Sequence, residues 1–87
     1  MDNPAFFRHN GYVPTFPVKI GSAIRKKRLS LGLSQEALAA LAGLNRTYVG
    51  EIERGVVDVS AVNLQHIADA LGIKLSDLIR LYEEEDD

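Results

Sequence analysis

Four glycines divide the proline-free part of this sequence, from Val18 onward, into short segments. Each glycine stands where a helical period of apolar residues lapses, and glycine readily takes the left-handed conformation that ends a helix. The 87 residues, 46% of them hydrophobic, suffice for one small domain with a single core. The pattern therefore predicts an all-α domain of five short helices, divided at Gly32, Gly43, Gly55 and Gly72.

Composition separates three parts of the chain. Residues 1–17 hold all three prolines and four of the six aromatic residues without a helical period, so we expect an N-terminal arm. Residues 18–82 carry the helical pattern, and residues 83–87 form an acidic tail. We expect Phe6, Phe7 and Phe16 to pack over the core or over a second subunit, with a disordered arm as the alternative. The tail is expected to be a solvated end, with repulsion of non-specific DNA or recruitment of a basic protein surface as alternatives.

Two charged residues fall on the apolar sides of their helices. Arg28 lies on the stripe of the first helix, predicted over residues 18–31, and Glu53 lies on the stripe of the third. An unpaired charge out of water costs several kcal/mol, which a bidentate arginine–carboxylate pair largely offsets. We therefore predict that Arg28 pairs with Glu53. The apolar members of these stripes are Ile20, Ile24 and Leu31 in the first helix, and Val49 and Ile52 in the third.

Polar residues mark the starts of the remaining helices. Their side chains can accept a hydrogen bond from a free amide of the first turn, and we predict N-caps at Ser34, Asn45, Ser60 and Ser76. The fourth helix is expected to bury Leu64, Ile67, Ala68 and Leu71. The fifth helix is too short to stand alone, so part of its apolar side should close the core and the rest should meet a second copy across a two-fold axis. The predicted dimer residues are Leu75, Leu78, Ile79 and Tyr82.

Several classes of site lack the residues to build them. Without cysteine there is no disulfide, zinc–cysteine site or thiol nucleophile, and the two histidines are far apart in the sequence. No nucleophile–base set, phosphate loop or metal spacing occurs, so we expect neither an enzyme nor a cofactor. The longest apolar run, residues 37–44, is too short to span a membrane, and the N-terminus has no apolar signal core. We therefore expect a cytoplasmic protein.

The formal net charge of −2 averages two ends of opposite sign. Residues 77–87 hold six acids and one base, which leaves nine bases and six acids, a charge of about +3, in residues 1–76. Four of those bases are consecutive, at positions 25–28. Such a cluster is typical of a phosphate-facing patch or of an ordinary solvated helix face, and both interpretations stay open.

The second and third helices are joined by only a few residues around Gly43, which is the pattern of a helix-turn-helix. The run LSQEALAALAGLNRTYVGEIERG, residues 33–55, resembles the Cro and phage-repressor type of helix-turn-helix, and the resemblance extends over about residues 20–78. It implies a lambda-repressor-like fold that binds double-stranded DNA. The residues in register with that family are Ser34, Gln35, Leu38, Ala39, Gly43, Val49, Ile52, Glu53 and Gly55.

The resemblance implies roles for individual residues. Positions that read base edges in the family are occupied here by Arg46, Thr47, Gly50 and Glu51. Gln35 stands where the family touches phosphate and braces the recognition helix, and the pair of Arg28 and Glu53 matches a family salt bridge. The other predicted phosphate contacts are Ser34, Asn45, Arg54 and Arg25.

Residue chemistry adds detail to these expectations. Arg46 can donate two hydrogen bonds to guanine O6 and N7, and Thr47 can touch a thymine methyl group. Gly50 either lets the backbone approach the bases or is an accident of packing. Glu51 either accepts from cytosine N4 or only pairs with an arginine, Arg54 or Arg46. Tyr48 is expected to be half-buried against the second helix, with its hydroxyl as a further candidate for base contact.

Within the family, the segment NRTYVGEIERG is most similar to the controller proteins of restriction-modification systems. This resemblance implies a homodimeric transcriptional activator or repressor on a palindromic operator, with RNA polymerase as an open partner. The loop of residues 55–59 is apolar and acidic where many relatives are basic, so additional grip would come from helix-start amides and from Ser60 and Asn63. An antitoxin that binds a toxin and autoregulates its operon is the alternative function.

Overall fold

The computed structural model describes residues 15–85, and those residues form five helices and no strand. The predicted all-α, five-helix fold is therefore confirmed. Helix α1 packs against α3 and α5, α2 packs against α3 and α4, and α4 packs against α5. The helices are α1 Phe16–Ser30, α2 Gln35–Ala42, α3 Arg46–Arg54, α4 Ala61–Ala70 and α5 Leu75–Glu83.

Three helices begin at the N-caps that the sequence predicted. The side chain of Ser34 accepts from the amide of Ala37 at 2.9 Å, and that of Asn45 accepts from the amide of Tyr48 at 2.8 Å. Ser60 likewise caps α4. Because these bonds satisfy amides that lack a partner within the helix, they fix where each short helix starts.

The start predicted for α5 is wrong by two residues. Ser76 lies inside the helix, and the N-cap is Lys74. The carboxylate of Asp77 reaches back and accepts from the amide of Lys74 at 3.3 Å, so the capping bond comes from the third helical position. Arg80 donates to the same carboxylate at 2.9 Å. The amide of Lys74 and the guanidinium of Arg80 together lower the pKa of Asp77 below its ordinary value of 3.8.

The depressed pKa of Asp77 predicts a pH-dependent contribution to stability. The folded-state value lies below the unfolded one, so the stabilisation is present above the ordinary pKa and is lost as the pH falls through the folded value. Asp77→Asn is therefore expected to lower the urea midpoint at neutral pH, and the difference between the two proteins should shrink as the pH falls below the ordinary pKa of 3.8. Asp58→Asn, in the exposed loop before α4, is the matched control. If the urea midpoints of the wild type and Asp77→Asn differ as much at acid pH as at neutral pH, the ionised carboxylate of Asp77 is not the source of the stabilisation.

The core contains the apolar stripes of all five helices. Ile20, Ile24, Leu38, Ile67 and Leu78 are fully buried at its centre. The stripes predicted for α1, α3 and α4 are confirmed except at Leu31, which is 46% exposed. Leu31 is the C-cap of α1, so the helical period no longer turns its side chain inward. The remaining members of the core are Ala39, Ala42, Val49, Ile52, Leu64, Ala68 and Leu71.

The N-terminal arm was predicted to extend two residues too far. Phe16 and Pro17 belong to α1, where proline is tolerated because a first-turn amide has no helical partner. Phe16 is 39% exposed, and its ring packs edge-on against Tyr82, with 4.8 Å between centroids. The predictions for Phe6 and Phe7 fall outside residues 15–85.

Helix α1 crosses α3 at Gly21, where the two backbones nearly touch. A Cβ atom on Gly21 would overlap the carbonyl oxygen of Ile52 and would lie 2.9 Å from that of Glu53. Only a residue without a side chain fits there, because neither backbone oxygen can move independently of its helix. The crossing therefore fixes how close α3 lies to the rest of the domain.

Candidate nucleic-acid interface

Helices α2 and α3 form the predicted helix-turn-helix. Three residues join them, and Gly43 ends α2 at φ +71°, the left-handed conformation expected of it. Val49 and Ile52 turn the inner side of α3 into the core, while Arg46 and Thr47 in its first turn are exposed. The domain thus presents the start of a short helix, held from behind, to solvent.

The buried side of α3 is held by the predicted ion pair. Arg28 donates from Nε to Glu53 Oε2 at 2.6 Å and from Nη2 to Oε1 at 2.9 Å, which is a bidentate pair. Its Nη1 donates to the carbonyl oxygen of Leu33 at 2.8 Å. Both charged side chains are buried. The hydrogen bonds that Arg28 donates to the Glu53 carboxylate raise the pKa of Arg28 above its ordinary value. The pair ties α3 to the end of α1.

Gln35 braces α3 as predicted. Its Nε2 donates to Glu53 Oε1 at 3.0 Å, so the first residue of α2 joins the network around the ion pair. Its amide has a second N–H, which can donate to a ligand. The phosphate contact of Gln35 stays a prediction.

Gly50 does not lie on the exposed side of α3, and of the two interpretations of this glycine the structure favours packing over a contact with a base. The residue is buried, and a Cβ atom there would lie 3.2 Å from Arg54 Nη1 and 3.7 Å from Gln35 Oε1. Helical periodicity puts Gly50 between the two faces, and these two longer side chains cover it. The missing side chain therefore makes room for protein groups and not for an approach of the backbone to a base pair.

Tyr48 is half-buried, as predicted, and its hydroxyl has a partner on α4. Its ring packs against the core, and its hydroxyl accepts from Asn63 Nδ2 at 3.2 Å. A hydroxyl that accepts one bond can still donate another, so the arrangement leaves a donor near the start of α3. The sequence suggested Asn63 as an additional contact with the DNA backbone, whereas in the structure its side chain donates to the hydroxyl of Tyr48.

Glu51 makes neither of the two ion pairs considered for it. Within residues 15–85, its carboxylate has no salt bridge to Arg46 or Arg54. The residue is half-buried on α3 between the exposed first turn and the exposed Arg54. A contact with a base stays a prediction.

The basic cluster of α1 divides into three kinds of residue. Arg28 is internal, and Lys26 donates to Glu85 at 3.2 Å, which ties the acidic C-terminal segment to α1. Arg25 is exposed and Lys27 is half-buried, and neither has an ion pair within the described part of the chain. Arg25 and Arg54 therefore remain the exposed arginines among the predicted phosphate contacts. The side chains of Ser34 and Asn45 already accept the capping amides.

The apolar side of α5 is mostly used within the chain. Leu78 is 0% exposed, so its prediction as a dimer residue is wrong: it closes the core of its own subunit. Leu75 and Tyr82 pack against that core, and Lys19 Nζ lies 5.3 Å from the Tyr82 ring centroid. Ile79 is half-buried and is not part of the core. The face left for a partner is narrower than the sequence predicted.

The described part of the chain offers neither a metal site nor a membrane-spanning helix. Between residues 15 and 85, no group of three or more histidines or acidic residues is arranged to hold a metal ion. In the same range, none of the helices has the length and hydropathy that crossing a membrane requires.

Comparison with known proteins identifies similar chains that are somewhat shorter than this one. The Helix-turn-helix family model matches residues 24–78. Control protein C.MunI of a Mycoplasma species is 44% identical over 78% of this chain and 93% of its own length, and C.BamHI of Bacillus amyloliquefaciens is 45% identical over 68% and 74%. The crystal structure of the restriction-modification controller protein C.AhdI from Aeromonas hydrophila superposes with a TM-score of 0.70. It is 50% identical and covers 71% of this chain and 94% of its own.

Proposed function

Because this chain belongs to the helix-turn-helix family of DNA-binding transcriptional regulators, we propose that it works as a homodimer on an inverted-repeat operator. The observation that carries the proposal is the two-sided character of α3. Its inner side is fixed by the core and by the pair of Arg28 and Glu53, while Arg46 and Thr47 are exposed. A helix held in this way is already ordered, so it can enter the major groove without a further loss of conformational freedom.

Sequence choice is assigned to the first turns of α3. Arg46 donates two hydrogen bonds to the edge of a guanine, and Thr47 contacts a thymine methyl group. The hydroxyl of Tyr48, positioned by Asn63, donates to a neighbouring base or phosphate oxygen. Glu51 accepts from a cytosine amino group at the far end of the contact.

Affinity is assigned to contacts with the DNA backbone. Arg54 and Arg25 supply exposed positive charge, and the second N–H of Gln35 donates to a phosphate oxygen. Ser34 and Asn45 mark the two helix starts whose free amides face the backbone. These contacts hold the domain on the duplex and fix its register, whereas the contacts with base edges determine which sequence is bound.

The dimer is assigned to α5. Ile79, together with the outer parts of Leu75 and Tyr82, meets the same residues of a second copy across a two-fold axis. Two copies of α3 then face successive major grooves, with half-sites about one helical turn, roughly 34 Å, apart.

A controller protein of a restriction-modification system is the form of regulator that the similarity favours, because C.MunI, C.BamHI and C.AhdI are all described in those terms. The family is one of DNA-binding regulators and not of enzymes. A cytoplasmic location suits such a protein, and RNA polymerase is its natural second partner. No observation favours an antitoxin.

A selection of binding sites from random DNA, carried out at two salt concentrations, tests the function. The proposal predicts one inverted repeat whose affinity falls steeply with salt, because Lys and Arg contacts release counterions. No enrichment of any sequence would exclude sequence-specific binding, and a single half-site without symmetry would exclude the dimer.

The Ile79→Asp variant is expected to weaken the dimer. A charge at a partly buried apolar interface must be desolvated in both copies, which costs roughly 2 kcal/mol or more and moves self-association to at least about thirtyfold higher concentration. Sedimentation equilibrium measures the shift. Leu41→Asp, at a leucine on α2 that is 62% exposed, is the matched control and should leave the mass unchanged. If Ile79→Asp dimerises as the wild type does, α5 is not part of the dimer interface.

A further inference from the structure

Gly50 is a glycine in the middle of α3 whose backbone does not require one. Its φ is not in the positive region that favours glycine, in contrast to Gly43 and Gly55 at the ends of α2 and α3. Glycine inside a helix is less stable than alanine, because it loses more conformational freedom on folding. A cause other than the backbone conformation is therefore needed for the glycine here.

The space beside Gly50 is occupied by the ends of two polar side chains. Arg54 Nη1 lies 3.2 Å from the position of a Cβ atom, and the amide oxygen and nitrogen of Gln35 lie 3.7 and 3.8 Å from it. The distances from Gln35 are ordinary van der Waals contacts, whereas 3.2 Å is too short for one. Gln35 is also tied to Glu53. A methyl group at position 50 would thus require the guanidinium of Arg54 to shift by a few tenths of an ångström and would leave Gln35 in place.

We propose that Gly50 is a positioning residue for Arg54. The missing side chain lets the guanidinium lie back along α3 beside Gln35, so that a positive charge and an amide donor face the same stretch of DNA backbone. Arg54 is exposed and makes no ion pair within residues 15–85, so nothing else on the described surface competes for its charge. This inference rests on the proposed DNA-binding function and assigns Gly50 to affinity rather than to sequence choice.

The Gly50→Ala variant separates binding from folding. The atom that must move is the far end of a flexible side chain, so the backbone of α3 stays in place and the preference of helices for alanine raises the melting temperature. A loss of DNA affinity in a protein with a higher melting temperature cannot come from unfolding.

The first measurement needs no DNA. The ¹⁵N spectrum of the free protein contains the Nε–Hε signal of Arg54, which is identified by its disappearance in Arg54→Ala. Gly50→Ala is expected to shift that signal and to leave that of Arg80, on α5, unchanged. An unmoved Arg54 signal would overturn the positioning role whatever the protein binds.

The second measurement is a double-mutant cycle of affinities for the selected operator and for a random fragment. Arg54→Ala should weaken both by about tenfold and lower the salt slope by about one, as loss of a charged phosphate contact does. Gly50→Ala should weaken both by about threefold, a part of the same contact, and should have no further effect when combined with Arg54→Ala. Arg80→Ala, at an exposed arginine on α5, is the charge-matched control and should bind normally.

Three outcomes separate the claims. If Gly50→Ala lowers DNA affinity by the same factor in the wild type and in the Arg54→Ala background, the two residues are not coupled. If Gly50→Ala selects a different operator sequence, Gly50 contributes to base recognition, and the proposal that it acts only on affinity is overturned. A wild-type chain that binds no DNA would overturn the proposed function and the binding role of Gly50 together, while the spectrum would still decide whether Gly50 positions Arg54.

Discussion

The Glu53→Ala variant is expected to lose about 3 to 5 kcal/mol of unfolding free energy, which is the usual cost of removing one partner from a buried ion pair. The guanidinium of Arg28 would stay buried with only the carbonyl oxygen of Leu33 as an acceptor, and Gln35 would lose its acceptor as well. A domain of this size has a total stability of roughly 5 to 10 kcal/mol, so the variant should be partly unfolded at 37 °C. Urea unfolding followed by circular dichroism measures the loss.

Two further variants identify the cause of this loss. Glu51→Ala removes a carboxylate from the same helix that has no ion pair within residues 15–85, and it should change stability by less than about 0.5 kcal/mol. Replacing both members of the pair, with Arg28→Met and Glu53→Leu, removes the buried charge altogether and should recover a large part of the loss. If Glu53→Ala costs less than about 1 kcal/mol, the pair does not hold α3 in place.

The Gly21→Ala variant is expected to lose roughly 3 kcal/mol, because the added methyl group overlaps the backbone of α3. Helices α1 and α3 would have to separate at their crossing, and the contacts of Ile20 and Ile52 within the core would loosen together. DNA affinity should fall as well, since α3 is the proposed recognition helix. Thermal unfolding measures the first effect and titration of the selected operator measures the second.

Gly50→Ala is the matched control for Gly21→Ala. Both substitutions add the same methyl group to a glycine inside a helix, and neither glycine has a positive φ. The methyl group meets backbone oxygens at position 21 and a movable guanidinium at position 50. We therefore expect the melting temperature to fall in Gly21→Ala and to rise in Gly50→Ala. A Gly21→Ala protein as stable as the wild type would mean that α1 and α3 do not approach this closely.

The sequence was sufficient for the parts of the fold that depend on local chemistry. The caps at Ser34, Asn45 and Ser60 follow from side chains that bond within their own helix turn, and such bonds need no tertiary information. The pair of Arg28 and Glu53 was predictable because periodicity put each charge on a buried side, where it needs a partner.

The sequence was insufficient where two elements compete for one residue. Leu78 and Ile79 lie on the same apolar stripe of α5, and only the packing of α5 on α1 and α4 decides that Leu78 is internal. The family resemblance predicted Gly50 at the exposed side of α3, but the groups that cover it come from Arg54, one turn later, and from Gln35, on another helix.

Contacts between distant segments left no local signal at all. Gly21 resembles any other helical glycine until α3 is placed across it, and the bond from Lys26 to Glu85 joins residues 59 positions apart. The contact also shows that at least one acid near the C-terminus neutralises a base of the α1 cluster, so the positive surface of α1 is smaller than its four consecutive bases predicted.

Site selection from random DNA with the wild type, Arg46→Ala and Arg54→Ala in parallel tests the central claim, that the exposed start of α3 reads bases, most directly. We expect one inverted repeat for the wild type and the same repeat, bound more weakly, for Arg54→Ala. For Arg46→Ala we expect lost preference at one position in each half-site, equivalent to about 1 to 3 kcal/mol of discrimination. An Arg46→Ala protein that enriches the unchanged repeat with undiminished affinity over random DNA would contradict the account.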